Sequence, residues 1–285
     1  YDTSEWRRYM LSSWSHNTVI VDGMGQRQQG KPREEYIVSE PLPHTWLTEP
    51  GFDYVSAVYD EGYGPDIDKS VTHRRSILYV KPDLWIVSDI LTPSDGGTHA
   101  YESAFNFTAD KASANGLTAD MPSESGPGCT IHGLGRADTT LRIARGEREP
   151  NLRGWMPKGG DIFCCHPSPT AVFTFSGSGV TIQSYVISPA AQGESCPVES
   201  VSALPISPAT VPAVGGLIRL NDGRQINFLQ RVPGRHTVGI REGETDAEAG
   251  AMIVDPSGVI EALHLANGSH LWGGGMPVSV GDSIY

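Results

Sequence analysis

SVTHRRSILYV (residues 70–80), KPD (81–83) and LWIVSDI (84–90) follow one another without a break, and the fold turns on how they are read. Two runs rich in Val, Ile, Leu, Tyr and Trp flank a short segment in which Pro82 and Asp83 favour a tight turn, so the stretch predicts a β-hairpin. The same punctuation recurs further on. GLIRL turns at Asn221–Asp222–Gly223 into RQINFLQR, AMIV turns through Asp255–Gly258 into VIEALHL, and HLA reverses at Asn267–Gly268 into SHLW, three successive signals of an antiparallel meander. Between these regions HAYESAFNF, TTLRIAR, AVFTFSG and VTIQSYVIS all read as strands, separated by segments rich in Gly, Pro and Ser. No long amphipathic helix interrupts them. The expected fold is all-β: a large antiparallel β-sandwich of stacked sheets, supersandwich-like, with a smaller C-terminal β-sheet subdomain.

The expected division places a sandwich over residues 1–190, a Pro/Ser-rich loop or linker over 191–213, and an antiparallel meander over 214–285. A chain of 285 residues buries a sizeable core. Its formal net charge of -12 repels polyanions as a whole, which argues against nucleic acid or an anionic membrane as a general partner. No run approaches the roughly 20 apolar residues of a membrane span, and the start lacks the charged-then-apolar order of a signal peptide. Opening on Tyr1, the sequence reads as part of something longer. Cys129, Cys164, Cys165 and Cys196 match no paired metal-ligand spacing and are expected as mostly buried free thiols, with room for one bridge.

Several chemical signatures fail on inspection. GMGQRQQG (23–30) has the wrong spacing for a phosphate loop and no helix pattern after it. FSGSGV (175–180) has Ser176 where a nucleophile elbow needs its first Gly. Glu34, Glu35, Asp60 and Glu61 read as solvated surface. The sequons at Asn106 and Asn267 fall in a strand and a tight turn, and chance explains them.

WSHNTVIVDGMGQ (14–26) is more informative. Val19–Val21 are β-branched and Asp22–Gly23 supply turn chemistry, so alternation places His16 on one strand face and Asn17 on the other. An imidazole at the mouth of an apolar strand reads either as a hydrogen-bonded core histidine or as a metal ligand or catalytic group.

YDTSEWRRYMLSSWSHNTVIVDGMGQ (1–26), FDYVSAVYDEGYG (52–64), VTHRRSILYVKPDLWIVSDIL (71–91) and HAYESAFNF (99–107) together resemble the β-sandwich region of the heparinase II/III-like polysaccharide lyases, which include alginate and oligoalginate lyases. GWMPKGGDIFCCHPSPTAVFTF and VTIQSYVISP continue the resemblance more weakly. It implies that His16, in HNTV, binds a structural zinc ion whose partner ligands, a histidine and an aspartate, come from an upstream segment absent from this chain. It also implies β-elimination on a uronate-containing acidic polysaccharide or oligosaccharide, a site shared with an upstream helical toroid, and a periplasmic or secreted setting. No catalytic base is nominated within these residues. Substrate contacts are expected from Tyr1, Arg7, Arg8 and Asn17, because guanidinium groups grip carboxylates bidentately and tyrosine stacks on or hydrogen-bonds a sugar. His73, Arg74 and Arg75 read as a strand with one solvent-facing side, and His99 with Tyr101 as structural. The rival expectation is a noncatalytic glycan-binding module using Trp6, Trp14, Trp46 or Trp272 as sugar platforms.

Overall fold

The computed structural model describes residues 3–26, 43–82, 84–122, 126–134, 136–158, 161–241, 243–273 and 276–279. The predicted hairpin is its centre. Val71–Val80 pairs antiparallel with Leu84–Pro93 through ten residue pairs from Val80–Leu84 out to Val71–Pro93. Around it runs an eight-stranded antiparallel sheet in the order Thr45–Thr48, Phe52–Tyr59, Val71–Val80, Leu84–Pro93, Thr181–Ala190, Gly128–Gly133, Thr118–Met121, Ser113–Asn115.

Both faces of this central sheet are covered. Leu78, Val80, Leu84 and Ile86 pack with Ile218, Ile226 and Phe228 of a five-stranded C-terminal sheet, whose strands are Val198–Leu204, Ala213–Leu220, Gln225–Arg231, Ala249–Val254 and Ile260–Ala266. The opposite face sends Val71, Val87 and Leu91 against a four-stranded sheet made of Val19–Val21, Thr98–Asn106, Thr170–Ser178 and Thr140–Ala144. Three sheet layers therefore stack. That is why Leu84–Leu91 is nearly continuously buried rather than alternating: a strand covered on both faces has no solvent side. The expectation of an all-β stack of antiparallel sheets matches this architecture.

A polar seam runs through the interface between the central and C-terminal layers. Ser56, Ser76, Ser88 and Ser184 are opposed in register across four adjacent strands, each at most 1% exposed. Ser88 and Ser184 share a hydrogen bond of 2.7 Å, Ser76 donates to Gln230 Oε1 at 2.7 Å, and Arg74 Nη1 donates to Ser56 Oγ at 2.8 Å. Four short side chains let the layers approach while their hydroxyls find partners.

Some expectations need correction. The segment 191–213 is not simply a loop or linker, since it carries the strands Val198–Leu204 and Ile206–Ser207. Val198–Leu204 is an edge strand with Val198 buried in the core, and an edge tolerates the Ser-rich composition that hid it. The turns at Asn221–Gly223 and Asp255–Gly258 join paired strands as expected, with Gly223 and Gly258 at φ of 89° and 92°. Asn267–Gly268 does not close a hairpin. Instead His270–Gly273 leaves for another sheet, pairing with Gly243–Thr245 and Met276–Ser279. None of the four cysteines is joined in a disulfide, and none is fully buried: Cys164 is exposed and the other three are half-buried.

Phe228, 1% exposed, fills the space between the central and C-terminal layers. Phe228→Ala is expected to destabilise the protein by about 3–5 kcal/mol, read as a lowered urea midpoint.

Candidate functional site

The region before the first strand is built by capping. Ser4 is the N-cap of the helix Glu5–Leu11, accepting from Arg7 N at 3.3 Å, and Ser12 ends it by donating its backbone N–H to Tyr9 O. A single 3-10 turn, Ser13–Ser15, follows directly. Tyr9 anchors the helix from its buried side, its hydroxyl lying 3.4 Å from both the carbonyl and the amide of Trp155. Trp6 packs on Trp155 with ring centroids 4.9 Å apart, and Arg148 lies over both rings while pairing with Glu5 at 3.0 Å.

His16 sits just past the 3-10 turn, so it precedes the strand rather than belonging to it. It is exposed. Its Nδ1 is 2.8 Å from Ser12 O and 3.0 Å from Ser15 Oγ. A carbonyl only accepts, so Nδ1 carries a proton and, in the neutral ring, Nε2 keeps its lone pair, the arrangement seen in metal-binding histidines. His16 therefore fits a zinc ligand chemically. Among the described residues, however, no three His, Cys, Asp or Glu side chains gather to hold an ion.

Asn17 is also exposed, but its side-chain oxygen is already engaged: Asn106 N donates to it at 2.8 Å and Asn106 Nδ2 at 2.9 Å. Asn106 Nδ2 also reaches Ser15 O at 3.2 Å, so one side chain holds both flanks of His16. Arg7 is half-buried and Arg8 exposed, with Arg8 Nη1 donating to Thr3 O at 3.3 Å. No hydrogen bond or ion pair joins either arginine to His16 or Asn17 among the described residues. Tyr1 lies outside the described residues, as do Glu34, Glu35 and the latter half of GMGQRQQG.

The residues that fix this loop depart from the sequence expectation. His73 and Arg75 do not line a solvent-facing side, because both aim at Asp89, which is fully buried. His73 Nε2 donates to Asp89 Oδ1 at 2.8 Å, Arg75 Nε to Oδ1 at 2.7 Å, Arg75 Nη2 to Oδ2 at 2.9 Å, and Ser103 Oγ to Oδ2 at 2.8 Å. Burial alone would raise the Asp89 pKa, but Arg75 and His73 outweigh it and hold the carboxyl well below the usual carboxylate range. The remaining guanidinium nitrogen of Arg75, Nη1, donates to the carbonyl of Asn17. A signal for this existed: counting outward from the Lys81–Leu84 turn puts Arg75 directly opposite Asp89.

His99 is clasped by two carboxylates, Nδ1 lying 2.7 Å from Asp22 Oδ2 and Nε2 3.1 Å from Asp95 Oδ1. Burial pulls its pKa down, but Asp22 and Asp95 together leave it raised above the ordinary histidine value. Tyr101, on the same strand, is buried against Phe175 at 5.4 Å between ring centroids.

Fold and site together define a layered β-sandwich that presents one pre-oriented imidazole at the end of a pinned loop. A family model, the C-terminal region of heparinase II/III-like proteins, matches residues 1–192, and the chain belongs to that family. Among solved structures the chain is similar to a heparinase III gene product (14% identity, TM-score 0.58, 80% of this chain and 32% of that one). It is also similar to the heparan sulfate lyase HepC of Pedobacter heparinus (14% identity, TM-score 0.54, 82% and 33%). The chain thus spans about a third of the length of these structures. No curated protein matches it. Among the described residues no helix is long and apolar enough to cross a membrane.

The Asp89 and His99 networks set opposite pH limits. A depressed folded-state pKa makes the Asp89 contribution full above the unfolded value of about 3.9 and lost progressively as pH falls below it. A raised pKa makes the His99 contribution full below about 6.5 and lost as pH rises through the folded value. Urea midpoints measured across pH should therefore fall on both sides of this window, and His99→Gln should flatten only the alkaline side. Asp89→Asn leaves Arg75 buried without its carboxylate and is expected to destabilise by about 3–5 kcal/mol.

Proposed function

We propose that this chain is the sandwich portion of a polysaccharide lyase that cleaves uronate-containing acidic glycans by β-elimination and needs an upstream helical toroid for activity. The observation that carries this reading is His16: within the matched family region, its Nδ1 is tied to a backbone carbonyl and the residue is exposed.

The reaction removes the proton at C5 of a uronate, next to the carboxylate, and expels the C4 oxygen as an alcohol, leaving a C4–C5 double bond. Loss of that proton loads charge onto a group already negative, so catalysis needs cationic or hydrogen-bonding groups at the carboxylate, a base at C5 and an acid at the leaving oxygen. On this reading Arg7, Arg8 and Asn17 lie on the sandwich side of the cleft, with the guanidinium groups offered to substrate carboxylates, and Tyr1 is proposed as a further substrate contact. The base and acid come from outside these residues. His16 would hold zinc through Nε2 with ligands from the upstream segment, and the ion would supply a structural clamp. The protein works in the periplasm or after secretion, where polymeric acidic glycans are met.

Formation of unsaturated uronate, followed by ultraviolet absorbance on alginate, heparan-type and hyaluronan-type glycans, tests the reading. Product is expected from the chain joined to its native upstream region and not from the chain alone. Zinc bound by the joined protein is expected to drop in His16→Ala, a readout independent of turnover. No product from either form, with glycan binding retained, would overturn the lyase reading. It would favour the second one, a glycan-recognition module, which the 75% exposure of Trp46 on an edge strand supports.

A further inference from the structure

The central sheet has eight strands, and the layer over its Val71, Val87 and Leu91 face has four. Val19–Val21 is the end strand of that layer, its valines packed with Val71 and Leu91. The cover therefore stops short, and a corner of the central sheet remains beyond it. Register fixes which side chains point there. Trp46 lies opposite Val55 and Val55 opposite Ile77, while Tyr79 lies opposite Trp85 in the next row. Their sequence neighbours Leu47, Tyr54, Leu78 and Ile86 pack with the C-terminal layer, so alternation turns these five residues to the other side.

The five have the composition of a covered face. A sheet face left in water carries polar residues at its outward positions, and here they read Trp, Val, Ile, Tyr and Trp. Elsewhere the chain keeps the rule: the exposed positions of the edge strand Val198–Leu204 include Glu199, Ser200 and Ser202. Trp46 is nevertheless 75% exposed, and Val55, Ile77, Tyr79 and Trp85 are only half-buried. The Tyr79 and Trp85 rings stack with centroids 4.6 Å apart and planes 11° from parallel, so the surface is already ordered. An ion pair of 2.7 Å between Lys81 and Asp53 closes its outer rim. Contiguous apolar surface with a polar rim marks a place of contact.

The fold selects what makes the contact. Ile77 packs at the margin of the cluster that holds Val87, Phe105 and Phe173, so the corner continues an existing sheet-to-sheet interface, and its cover lengthens the four-stranded layer. A pleated face of this kind is matched by a second pleated face about 10 Å above it. The chain after residue 192 supplies the layer on the opposite face. Val19–Val21, by contrast, is the first strand among the described residues, and sequential elements are usually neighbours. The chain spans about a third of the heparinase III structures it resembles, which leaves ample polypeptide in a protein of that size to form the cover. We propose that this corner is the seat of a β-rich stretch of the same polypeptide, upstream of residue 1, that extends the four-stranded layer past Val19–Val21. The inference rests on the upstream region invoked under the proposed function.

Hydroxyl-radical footprinting read by mass spectrometry tests it, on the 285-residue chain alone and on the chain joined to its native upstream region. Trp46 is expected to label strongly in the chain alone. In the joined protein, labelling of Trp46, Tyr79 and Trp85 should fall several-fold, while Val259 and Ile260, exposed beside the C-terminal sheet, keep their rates. Trp46→Glu should leave the thermal midpoint of the chain alone unchanged, lower that of the joined protein, and restore labelling of Tyr79 and Trp85. If that variant fails to fold when joined, the footprint of the unaltered protein decides. Unchanged labelling on joining would overturn the inference. So would protection of the chain alone that grows with its concentration, the mark of a second copy, or protection that needs an added glycan. Footprinting requires no turnover, so a joined protein that shields this corner yet forms no unsaturated uronate would sink the lyase reading and leave the interface standing.

Discussion

Asp89 holds a negative charge where no water reaches it, and satisfying that charge organises the surrounding chain. A bare carboxylate in such a place would take up a proton or unfold its surroundings. Here four hydrogen bonds arrive from three side chains: His73 and Arg75 on the neighbouring central strand, and Ser103 on the adjoining four-stranded sheet. The ion therefore adds a directional tie between two layers, where apolar contact alone fixes distance but leaves sliding inexpensive. Arg75 passes the constraint on, since its last donor fastens the carbonyl of Asn17. Asn106 fastens the other flank, and between them His16 is held at the surface.

This arrangement separates what makes the site from what would use it. Asp89 is fully buried, yet the placement of the exposed His16 imidazole follows from it through Arg75. The capping serines complete the device, because Ser12 lends a carbonyl that fixes the tautomer of His16. A loop in this position would ordinarily be mobile; here it inherits the rigidity of a core ion pair.

Much of this was legible in the sequence, and what was not has physical reasons. The central hairpin could be read because Pro82 breaks two β-branched runs, and the turns at Asn221–Gly223 and Asp255–Gly258 because glycine marks left-handed backbone. The third layer was not visible: an apolar run such as LWIVSDIL looks alike whether one sheet or two cover it, and only tertiary pairing decides. Val198–Leu204 hid behind an edge strand's polar composition. Arg75 opposite Asp89 was accessible by counting register, whereas Asn106 clamping Ser15 and Asn17 depends on a pairing across 89 residues that no local pattern reports. Alternation carried back to His16 runs three residues past the strand's start at Val19, into a segment governed by serine caps.

The C-terminal sheet carries a consequence for how such a protein is inherited. The recognisable family segment ends at residue 192, yet the face formed by Leu78, Val80, Leu84 and Ile86 is covered by Ile218, Ile226 and Phe228, which lie beyond it. The unit that evolution marks by likeness is thus smaller than the unit that keeps its oil out of water. Any recombination that moved the first without the second would expose a broad apolar plane, so the later strands must travel with the earlier ones or be replaced by another cover, however freely their own outward surface is allowed to change.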